Sequence, residues 1–360
     1  MRILVTRPDH LGDVLLTSPA LAALRAALPE AFICVAVTPG LADVPAHFAG
    51  VDQSRGVPFP PITGPADPPM LARLAFELGP SFSGFDVAIL PRADDPWSGA
   101  VVAGAGIPHR VGYAHPRTRP FLTRALPFPP AGHVATHATA LVAEALRCLG
   151  VAGPATVPRH APFVTTAAEE AAAQACLDAL AIDCPIVVHP GSGWRLKNWP
   201  ARRWGEVAAA LGGRFQTLPL VVGARSEASL AEEVVATSGG CARSIVGRLS
   251  VGELAALLRR ARVLVATDSG PLHLAALVGT PVVGVYGPAD PEEFGPLGQR
   301  TRRRIVHAEL PCRPCRTMVD PPCGSVADPP CLLRVDAAMV LRAVDDLLAA
   351  SQANRPLRRQ

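Results

Sequence analysis

The sequence has little lysine, little net charge and no long hydrophobic run. Of its 34 Lys and Arg residues only Lys197 is a lysine, and the formal net charge is +4. A charge this small argues against nucleic acid as the main partner. No apolar stretch approaches the roughly 18 residues that a membrane-spanning helix needs. With 49% hydrophobic and 18% charged residues, the 360-residue chain has the composition of a globular protein of two domains.

Short β-like runs alternate with helix-like stretches along the chain, which is typical of parallel sheets covered by helices. The first alternation occupies residues 1–155, and a proline-rich stretch over residues 153–162 predicts the interdomain link. The second occupies residues 165–334, followed by a predicted helix over residues 335–350 and a polar tail from residue 351. Ligands of open α/β sheets bind beyond the carboxyl ends of the strands. We therefore predict two α/β domains with a cleft between them.

Three segments directly follow predicted strands and could carry chemistry, namely residues 7–13, 190–198 and 267–273. In the first, Gly12 allows a tight turn, and Asp13 opens a helix predicted over about residues 14–28. Asp13 could be an ordinary first-turn acid that suits the helix dipole. It could equally be a general base, because a carboxylate at a helix N-terminus stays ionised and can accept a proton from a hydroxyl. The residues alone leave both interpretations open.

The second segment, His189 to Trp199, has the outline of a phosphate site. Its small-residue loop around Ser192 lets backbone N–H groups approach an anion, and Lys197 follows that loop. A compact ammonium can reach between two phosphates. The segment matches neither a Walker P-loop nor a GxGxxG dinucleotide-binding fingerprint. The alternative is a solvated surface lysine.

The third segment begins a helix at Asp268-Ser269-Gly270-Pro271. Pro271 suits the first helical turn, and Ser269 and Gly270 present N–H groups where an anion is favoured. His273 lies in the same turn and could point at the same ligand. The alternative is a capped helix with a surface histidine.

A fourth junction between strand and helix carries Glu227. Acidic residues in this position hold ribose hydroxyls in nucleotide-binding folds, although Glu227 could also be a simple helix acid. The chain lacks the GxSxG elbow and the HExxH motif, so a serine hydrolase and a zincin are both unsupported.

Four of the nine cysteines are grouped near the C-terminus, as Cys312, Cys315, Cys323 and Cys331. The opening segment MRILVTRPD predicts a first strand rather than a signal peptide, so we expect a cytoplasmic protein with thiols or metal ligands instead of disulfides. Four thiolates could hold a structural zinc. The spacing differs from common zinc ribbons, however, because the second pair is not CxxC. A redox-sensitive loop and free thiols are the alternatives.

Taken in order, these stretches resemble glycosyltransferase family 9, the ADP-heptose:lipopolysaccharide heptosyltransferases. The resemblance runs from about residue 1 to 345, and it is carried by residues 2–5, 11–21, 190–192, 197–200, 204, 223–224 and 265–288. It implies a GT-B fold, with two Rossmann-like domains whose parallel sheets face each other across a cleft. The N-terminal domain would bind the acceptor and the C-terminal domain the nucleotide sugar, with the last helix crossing back to the first domain.

The resemblance also implies an activity and residue roles. The reaction would be inverting transfer of heptose from ADP-heptose, with no required cofactor or metal. Asp13 would take the proton of the acceptor hydroxyl. The donor-binding residues would be Lys197 and the Ser192 loop at the diphosphate, Glu227 at the ribose, Leu249 at adenine, and Asp268, Ser269, Gly270 and His273 around the sugar and the leaving ADP.

The acceptor implied by the resemblance is a lipid-linked core oligosaccharide of lipopolysaccharide. We therefore expect a protein at the inner face of the inner membrane with at most peripheral contact, and no nucleic-acid partner. An arginine-rich loop predicted over residues 110–124 offers Arg110, Arg117 and Arg119 to acceptor phosphates, or merely to solvent. The proline-dense stretch over residues 58–69 departs from the family pattern and leaves the acceptor open.

Two other functions compete with heptose transfer. The first keeps the fold but changes the chemistry, to another nucleotide-sugar donor or to an epimerase. An epimerase needs acid and base groups around the sugar carbon, and only Asp13 is placed for such work. The second is a non-catalytic protein that binds a nucleotide sugar or a metal. Loss of transfer in Asp13→Ala with donor binding retained separates an enzyme from this last alternative.

Overall fold

The computed structural model describes residues 1–60, 67–154, 156 and 160–353, and the chain divides into two compact units. The first unit spans Met1–Val164, and the second begins at Thr165. Several predicted features lie outside the described residues, namely the domain end at residue 155, residues 157–159 of the link, residues 61–66 of the proline-dense stretch and residues 354–360 of the tail.

The first unit is built on a parallel sheet. Its strands are β1 (Arg2–Arg7), β2 (Phe32–Val37), β3 (Gln53–Gly56), β4 (Val87–Leu90), β5 (His109–Tyr113) and β6 (Arg124–Leu126). Its helices are α1 (Leu11–Leu16), α2 (Ser18–Ala27), α3 (Pro68–Leu78), α4 (Pro96–Gly104) and α5 (Val134–Cys148). The strand order is β3-β2-β1-β4-β5-β6, with every neighbouring pair parallel, which is the Rossmann order.

The second unit repeats this architecture. Its strands are β7 (Ile186–His189), β8 (Leu220–Val221), β9 (Arg243–Ser244), β10 (Val263–Thr267), β11 (Val282–Val285) and β12 (Arg303–Val306). Its helices are α6 (Ala167–Asp178), α7 (Ala201–Phe215), α8 (Ala228–Thr237), α9 (Val251–Arg260), α10 (Gly270–Leu277), α11 (Pro291–Phe294), α12 (Pro330–Leu333) and α13 (Ala337–Ala353). Its order is β12-β11-β10-β7-β8-β9, which read from the other end is again the Rossmann order. The predicted pair of Rossmann-like α/β domains is therefore confirmed.

Burial explains which segments became central strands. Ile3, Leu4 and Val5 of β1 are at most 2% exposed, and Val263, Leu264 and the rest of β10 are buried throughout. Strands with both faces covered by helices are apolar along their whole length, and that is how these segments read. The outer strands are polar instead, as β3 and β12 show with the sequences QSRG and RRIV. Charged edge strands resist pairing with other chains.

Two local predictions about the first unit were wrong. The single helix expected over residues 14–28 is two helices, α1 and α2. Thr17 separates them, because its hydroxyl donates to the Asp13 carbonyl oxygen at 2.9 Å and Pro19 follows at the start of α2. The arginine-rich segment is not one loop, since Arg110 lies in β5 and Arg124 begins β6. A strand can carry arginines near the edge of the sheet, where their guanidinium groups reach water.

The last helix, α13, packs within the second unit. Its Val340, Val344 and Leu347 are fully buried in the same core as Trp204. Just before the helix, the Val335 carbonyl oxygen accepts a hydrogen bond from the Trp199 indole at 3.0 Å. The return of this helix to the first domain stays a prediction. Within the described ranges, no helix is both long and apolar enough to cross a lipid bilayer.

Candidate active site

The Rossmann order gives each sheet a switch point, where the chain leaves two neighbouring strands in opposite directions. In the second unit this point lies between β7 and β10, which pair from Val263 opposite Ile186 to Ala266 opposite His189. The segments that follow these two strands are residues 190–198 and 268–273. Both had been singled out from the sequence, and the sheet places them side by side at its carboxyl edge.

Lys197, Asp268 and His273 form one buried charge cluster at this edge. Asp268 Oδ2 lies 2.7 Å from Lys197 Nζ, and Asp268 Oδ1 lies 3.7 Å from His273 Nε2. The Asp268 and His273 side chains are 4% and 5% exposed, and that of Lys197 is 18% exposed. Burial alone would raise the pKa of Asp268, but the hydrogen bond from His273 and the charge of Lys197 hold it below its ordinary value. Asp268 is therefore an anion that fixes two positive or proton-donating groups.

A hydrogen bond to its backbone carbonyl oxygen fixes the position of Lys197. Lys197 ends a short 3-10 turn, and its carbonyl oxygen accepts a hydrogen bond from the Thr267 hydroxyl at 2.6 Å. Thr267 is the last residue of β10, so the lysine is tied directly to the neighbouring strand. This is not the geometry of a solvated surface lysine.

Glu227 lies beside a second chain of polar contacts through His189. Glu227 Oε2 accepts from the Ala224 backbone N–H at 2.7 Å and lies 3.4 Å from His189 Nε2. His189 Nδ1 lies 2.9 Å from Ser269 Oγ. A carboxylate can only accept, so His189 Nε2 donates to Glu227. The Ser269 hydroxyl lies within hydrogen-bond distance of both His189 Nδ1 and the Thr267 carbonyl oxygen, the latter at 3.1 Å. Burial alone would raise the pKa of Glu227, but His189 and the Ala224 N–H lower it.

His189 is a site residue that the sequence analysis did not propose. It is the last residue of β7, it is 3% exposed, and it connects Glu227 to Ser269. Its only sequence signal is a polar residue at the carboxyl end of a buried strand. Such a position faces the ligand-binding edge of the sheet.

The start of α10 is open to an anion. Ser269 is the N-cap residue, but its side chain makes no hydrogen bond to the helix and is directed to His189 instead. The first N–H groups of a helix have no partner within the helix, and they favour negative charge. Gly270 and Pro271 begin this helix, and because Pro271 has no N–H group, Gly270 supplies the first helical N–H.

The remaining residues predicted to bind the nucleotide-sugar donor lie at the same sheet edge, outside the two groups of contacts described above. Ser192 Oγ accepts a hydrogen bond from the Trp194 backbone N–H at 3.2 Å, which folds the small-residue loop back on itself. Leu249 follows β9 and precedes α9, and it is half-buried. Their roles at the diphosphate and at adenine stay predictions.

In the first unit, Asp13 occupies the first turn of α1, directly beyond β1. Its side chain is 25% exposed, and Oδ1 accepts a hydrogen bond from Arg7 Nη2 at 3.0 Å. His10 Nδ1 lies 3.9 Å from Oδ2. The carboxylate is thus held on one side and accessible on the other, which is what a general base requires.

The three arginines proposed for the acceptor differ in their surroundings. Arg110 donates to the carbonyl oxygens of Phe121 at 2.6 Å and of Ile107 at 2.5 Å, so much of its guanidinium holds the β5–β6 region together. Burial lowers its pKa. Arg117 is half-buried, whereas Arg119 is exposed and lines an open cavity of about 410 Å³. An acceptor role for any of them stays a prediction.

The four grouped cysteines surround one small cavity next to α12. Cys331 is buried, and this burial together with Cys315 and Cys323 nearby raises the pKa of its thiol to about 11. Cys312 and Cys323 are exposed. Among the described residues, no group of three or more His, Cys, Asp or Glu side chains is arranged to hold a metal ion. A four-thiolate zinc site stays a prediction.

Comparison with known proteins gives this site a context. Residues 82–323, more than half of the chain, match the family Glycosyltransferase family 9 (heptosyltransferase). Lipopolysaccharide heptosyltransferase 1 of Pseudomonas aeruginosa is 33% identical over 132 residues, 36% of each chain. The protein of the same name from Salmonella typhimurium is 26% identical over 311 residues, which cover 83% of this chain and 92% of that one.

The structural match covers more of the chain than the sequence match does. A solved structure described as E. coli ADP-heptose lps heptosyltransferase II has a TM-score of 0.75 at 19% identity. The match covers 98% of this chain and 100% of that chain. Together with the family match, this establishes that the chain belongs to glycosyltransferase family 9 and is a glycosyltransferase of the GT-B fold class.

Proposed function

We propose that the protein transfers heptose from ADP-heptose to a core acceptor of lipopolysaccharide, with inversion and without a required metal. The observation that carries the proposal is the cluster of Lys197, Asp268 and His273 beside the open N-terminus of α10. It is a site built for a diphosphate, at the switch point of the second Rossmann-like unit. The names of the relatives, lipopolysaccharide heptosyltransferases 1 and 2, support the sugar and the acceptor class.

The donor is bound entirely by the second unit in this proposal. Lys197, His273 and the first N–H groups of α10 hold the diphosphate, with the Ser192 loop beside them. Glu227 is a carboxylate at neutral pH, because its pKa is lowered, and it accepts hydrogen bonds from the ribose hydroxyls. Leu249 contacts adenine. Asp268 keeps Lys197 and His273 oriented when the donor is absent.

The chemistry is displacement at the anomeric carbon. Asp13 takes the proton of the acceptor hydroxyl as its oxygen forms the new bond, while the bond from the sugar to ADP breaks on the opposite face. Negative charge develops on the departing diphosphate. Lys197, His273 and the α10 dipole stabilise that charge where it forms, which is the most effective place for electrostatic catalysis. These groups supply the positive charge that a divalent cation supplies elsewhere, which supports the metal-independent form of the proposal.

The acceptor is a lipid-linked oligosaccharide, for which Arg117 and Arg119 are the candidate phosphate contacts. We place the protein in the cytoplasm at the inner face of the inner membrane, because a nucleotide-sugar donor and a membrane-anchored acceptor meet there. Contact with the membrane is then peripheral.

The test combines binding and transfer. Calorimetric titration with ADP, ADP-heptose, UDP and GDP, in buffer with a chelator, is expected to show binding of the adenine compounds alone. Release of ADP is then followed with heptose-free lipopolysaccharide as acceptor. Asp13→Ala is expected to lower the rate of transfer by about 10²- to 10⁴-fold, to a residual rate that can still be measured, while ADP still binds. Preference for UDP or GDP would reassign the donor, and full transfer by Asp13→Ala would remove Asp13 as the base.

A further inference from the structure

A chain of alternating charges leads from the surface of the first unit to Asp13. Arg7 donates to Asp13 Oδ1 at 3.0 Å, and its Nε lies 3.1 Å from Asp9 Oδ2. The other oxygen of Asp9 is paired with Arg92, whose Nε donates to Asp94 Oδ1 at 2.8 Å. The five charges are therefore linked in the order Asp94, Arg92, Asp9, Arg7 and Asp13.

The sheet topology brings this chain together. Arg7 is the last residue of β1 and Asp9 follows it by two residues, whereas Arg92 follows β4 by two residues. β1 and β4 are neighbours in the sheet, with Val5 opposite Ile89. Their carboxyl ends form the switch point of the first unit, and Asp13 lies in the first turn of the helix that leaves it.

The burial of Asp9 and Arg7 indicates that this series of charges has a role beyond stability. The Asp9 side chain is 2% exposed and that of Arg7 is 10% exposed. Burial alone would lower the pKa of Arg92, but its bonds to Asp94 and the charge of Asp9 raise it. Buried ion pairs are often no more stable than apolar residues of the same size. Stability alone therefore does not explain why Arg7 and Asp9 are buried, with a half-buried Arg92 behind them, beside the proposed general base.

We propose that Arg7 is a positioning residue for Asp13, and that Asp9 and Arg92 hold Arg7 in the orientation this requires. The proposal rests on the proposed function, in which Asp13 is the general base. Arg7 engages Asp13 Oδ1 and so leaves Oδ2 to receive the proton of the acceptor hydroxyl. A planar guanidinium can face Asp9 through Nε and Asp13 through Nη2 at the same time. A lysine ammonium lacks that fixed fork.

The experiment compares Arg7→Met, Arg7→Lys and Asp9→Asn with the wild type, each also in an Asp13→Ala background. Release of ADP with heptose-free lipopolysaccharide gives kcat and the KM of each substrate, and calorimetry gives the ADP affinity. Asp52→Asn is the matched control, because Asp52 also pairs with an arginine, Arg25, in the same unit at 2.5 Å. Thermal unfolding of each variant reports its stability.

A positioning role predicts that Arg7→Met lowers kcat by about 10- to 100-fold, the usual effect of a misplaced catalytic group. The KM for ADP-heptose and the ADP affinity stay unchanged, since every residue assigned to the donor lies in the second unit. Arg7→Lys recovers part of the loss, and Asp9→Asn shows a smaller loss. In the Asp13→Ala background, Arg7→Met causes no further loss, because Arg7 acts through Asp13. Asp52→Asn changes stability alone.

Several results would overturn the inference. Wild-type kcat in Arg7→Met is one, and an equal loss with and without Asp13 is another. A raised KM for the acceptor at unchanged kcat would make Arg7 a substrate-binding residue instead. If Arg7→Met does not fold, Asp9→Asn and Arg7→Lys decide by the same criteria. Failure of the proposed function has a separate signature, since Asp13→Ala would then retain transfer, and the inference would fall with it.

Discussion

Gly191→Ala is expected to displace the Glu227 side chain and so weaken ADP binding, although Glu227 itself is unchanged. A Cβ atom at residue 191 would lie 1.9 Å from Glu227 Oε1 and 2.5 Å from Glu227 Cδ. Real Cβ atoms do not approach a carboxylate this closely, so the Glu227 side chain must rotate away. The rotation breaks the contacts of Oε2 with the Ala224 N–H and with His189.

The size of the effect follows from what the carboxylate does. Hydrogen bonds to a charged group contribute about 1.5–3 kcal/mol each, so losing the ribose contact should weaken ADP binding by about 10- to 100-fold. The affinity is measured by calorimetry with ADP. Gly213→Ala is the matched control, because residue 213 is exposed in α7 with nothing within 4 Å of its Cβ position. That variant should bind ADP normally and gain about 0.5–1 kcal/mol of stability.

A double variant tests whether Gly191→Ala acts through Glu227. In a Glu227→Ala background the space beside residue 191 is free, so Gly191→Ala should cost no further affinity. Wild-type ADP affinity in Gly191→Ala alone would mean that the Glu227 carboxylate does not hold the ribose. An added loss in the double variant would mean that the loop backbone, and not Glu227, binds the nucleotide.

Two further predictions concern buried charges. Lys197→Ala should weaken ADP binding at least about 10-fold by calorimetry, because it removes the charged hydrogen bond from the ammonium group to the diphosphate. Lys197→Arg should restore part of the affinity. Full affinity in Lys197→Ala would contradict the phosphate assignment. Asp95 caps α4, and burial raises its pKa to about 6. The folded state therefore favours the neutral acid, and stability should fall as pH rises from about 4 to 6, by about 3 kcal/mol. Urea unfolding of Asp95→Asn should lack this fall, and an unchanged pH profile would refute the assignment.

The central strands were predictable because burial on both faces leaves a plain record in the sequence. The apolar runs over residues 32–37 and 186–189 are typical of buried strands, and the structure has strands with these bounds. Helix α9, Val251–Arg260, has an equally plain sequence signal, since Ser250 and Glu253 form a capping box at its start. The outer strands β3 and β12 were missed because they are polar and only partly buried. Hydrophobic periodicity has nothing to detect in such segments.

The candidate site was predictable as far as each strand end could be recognised. Lys197 was identified on one segment and Asp268 and His273 on another, and the pairing of β7 with β10 brings the two segments together. The pairing of Arg92 with Asp9 joins residues 83 apart in the sequence. Such a contact depends on strand order, which local patterns do not contain. His189 was missed for a related reason, because it was counted only as the end of a strand.

The two units share one topology, but the proposed functional groups at their switch points have opposite charge. At the switch point of the first unit, the proposed functional group is an anion, Asp13, and it is paired with the buried cation Arg7. At the switch point of the second unit, the proposed functional groups are Lys197 and His273, and both are paired with the buried anion Asp268. In each case the fixing charge is more buried than the charge it orients, so water competes least where the geometry is set. A base for the acceptor and a positive site for the leaving diphosphate are what glycosyl transfer needs from two such units. Exchanging only the buried partners, Arg7 or Asp268, should therefore impair transfer even though neither needs to touch the atoms that react.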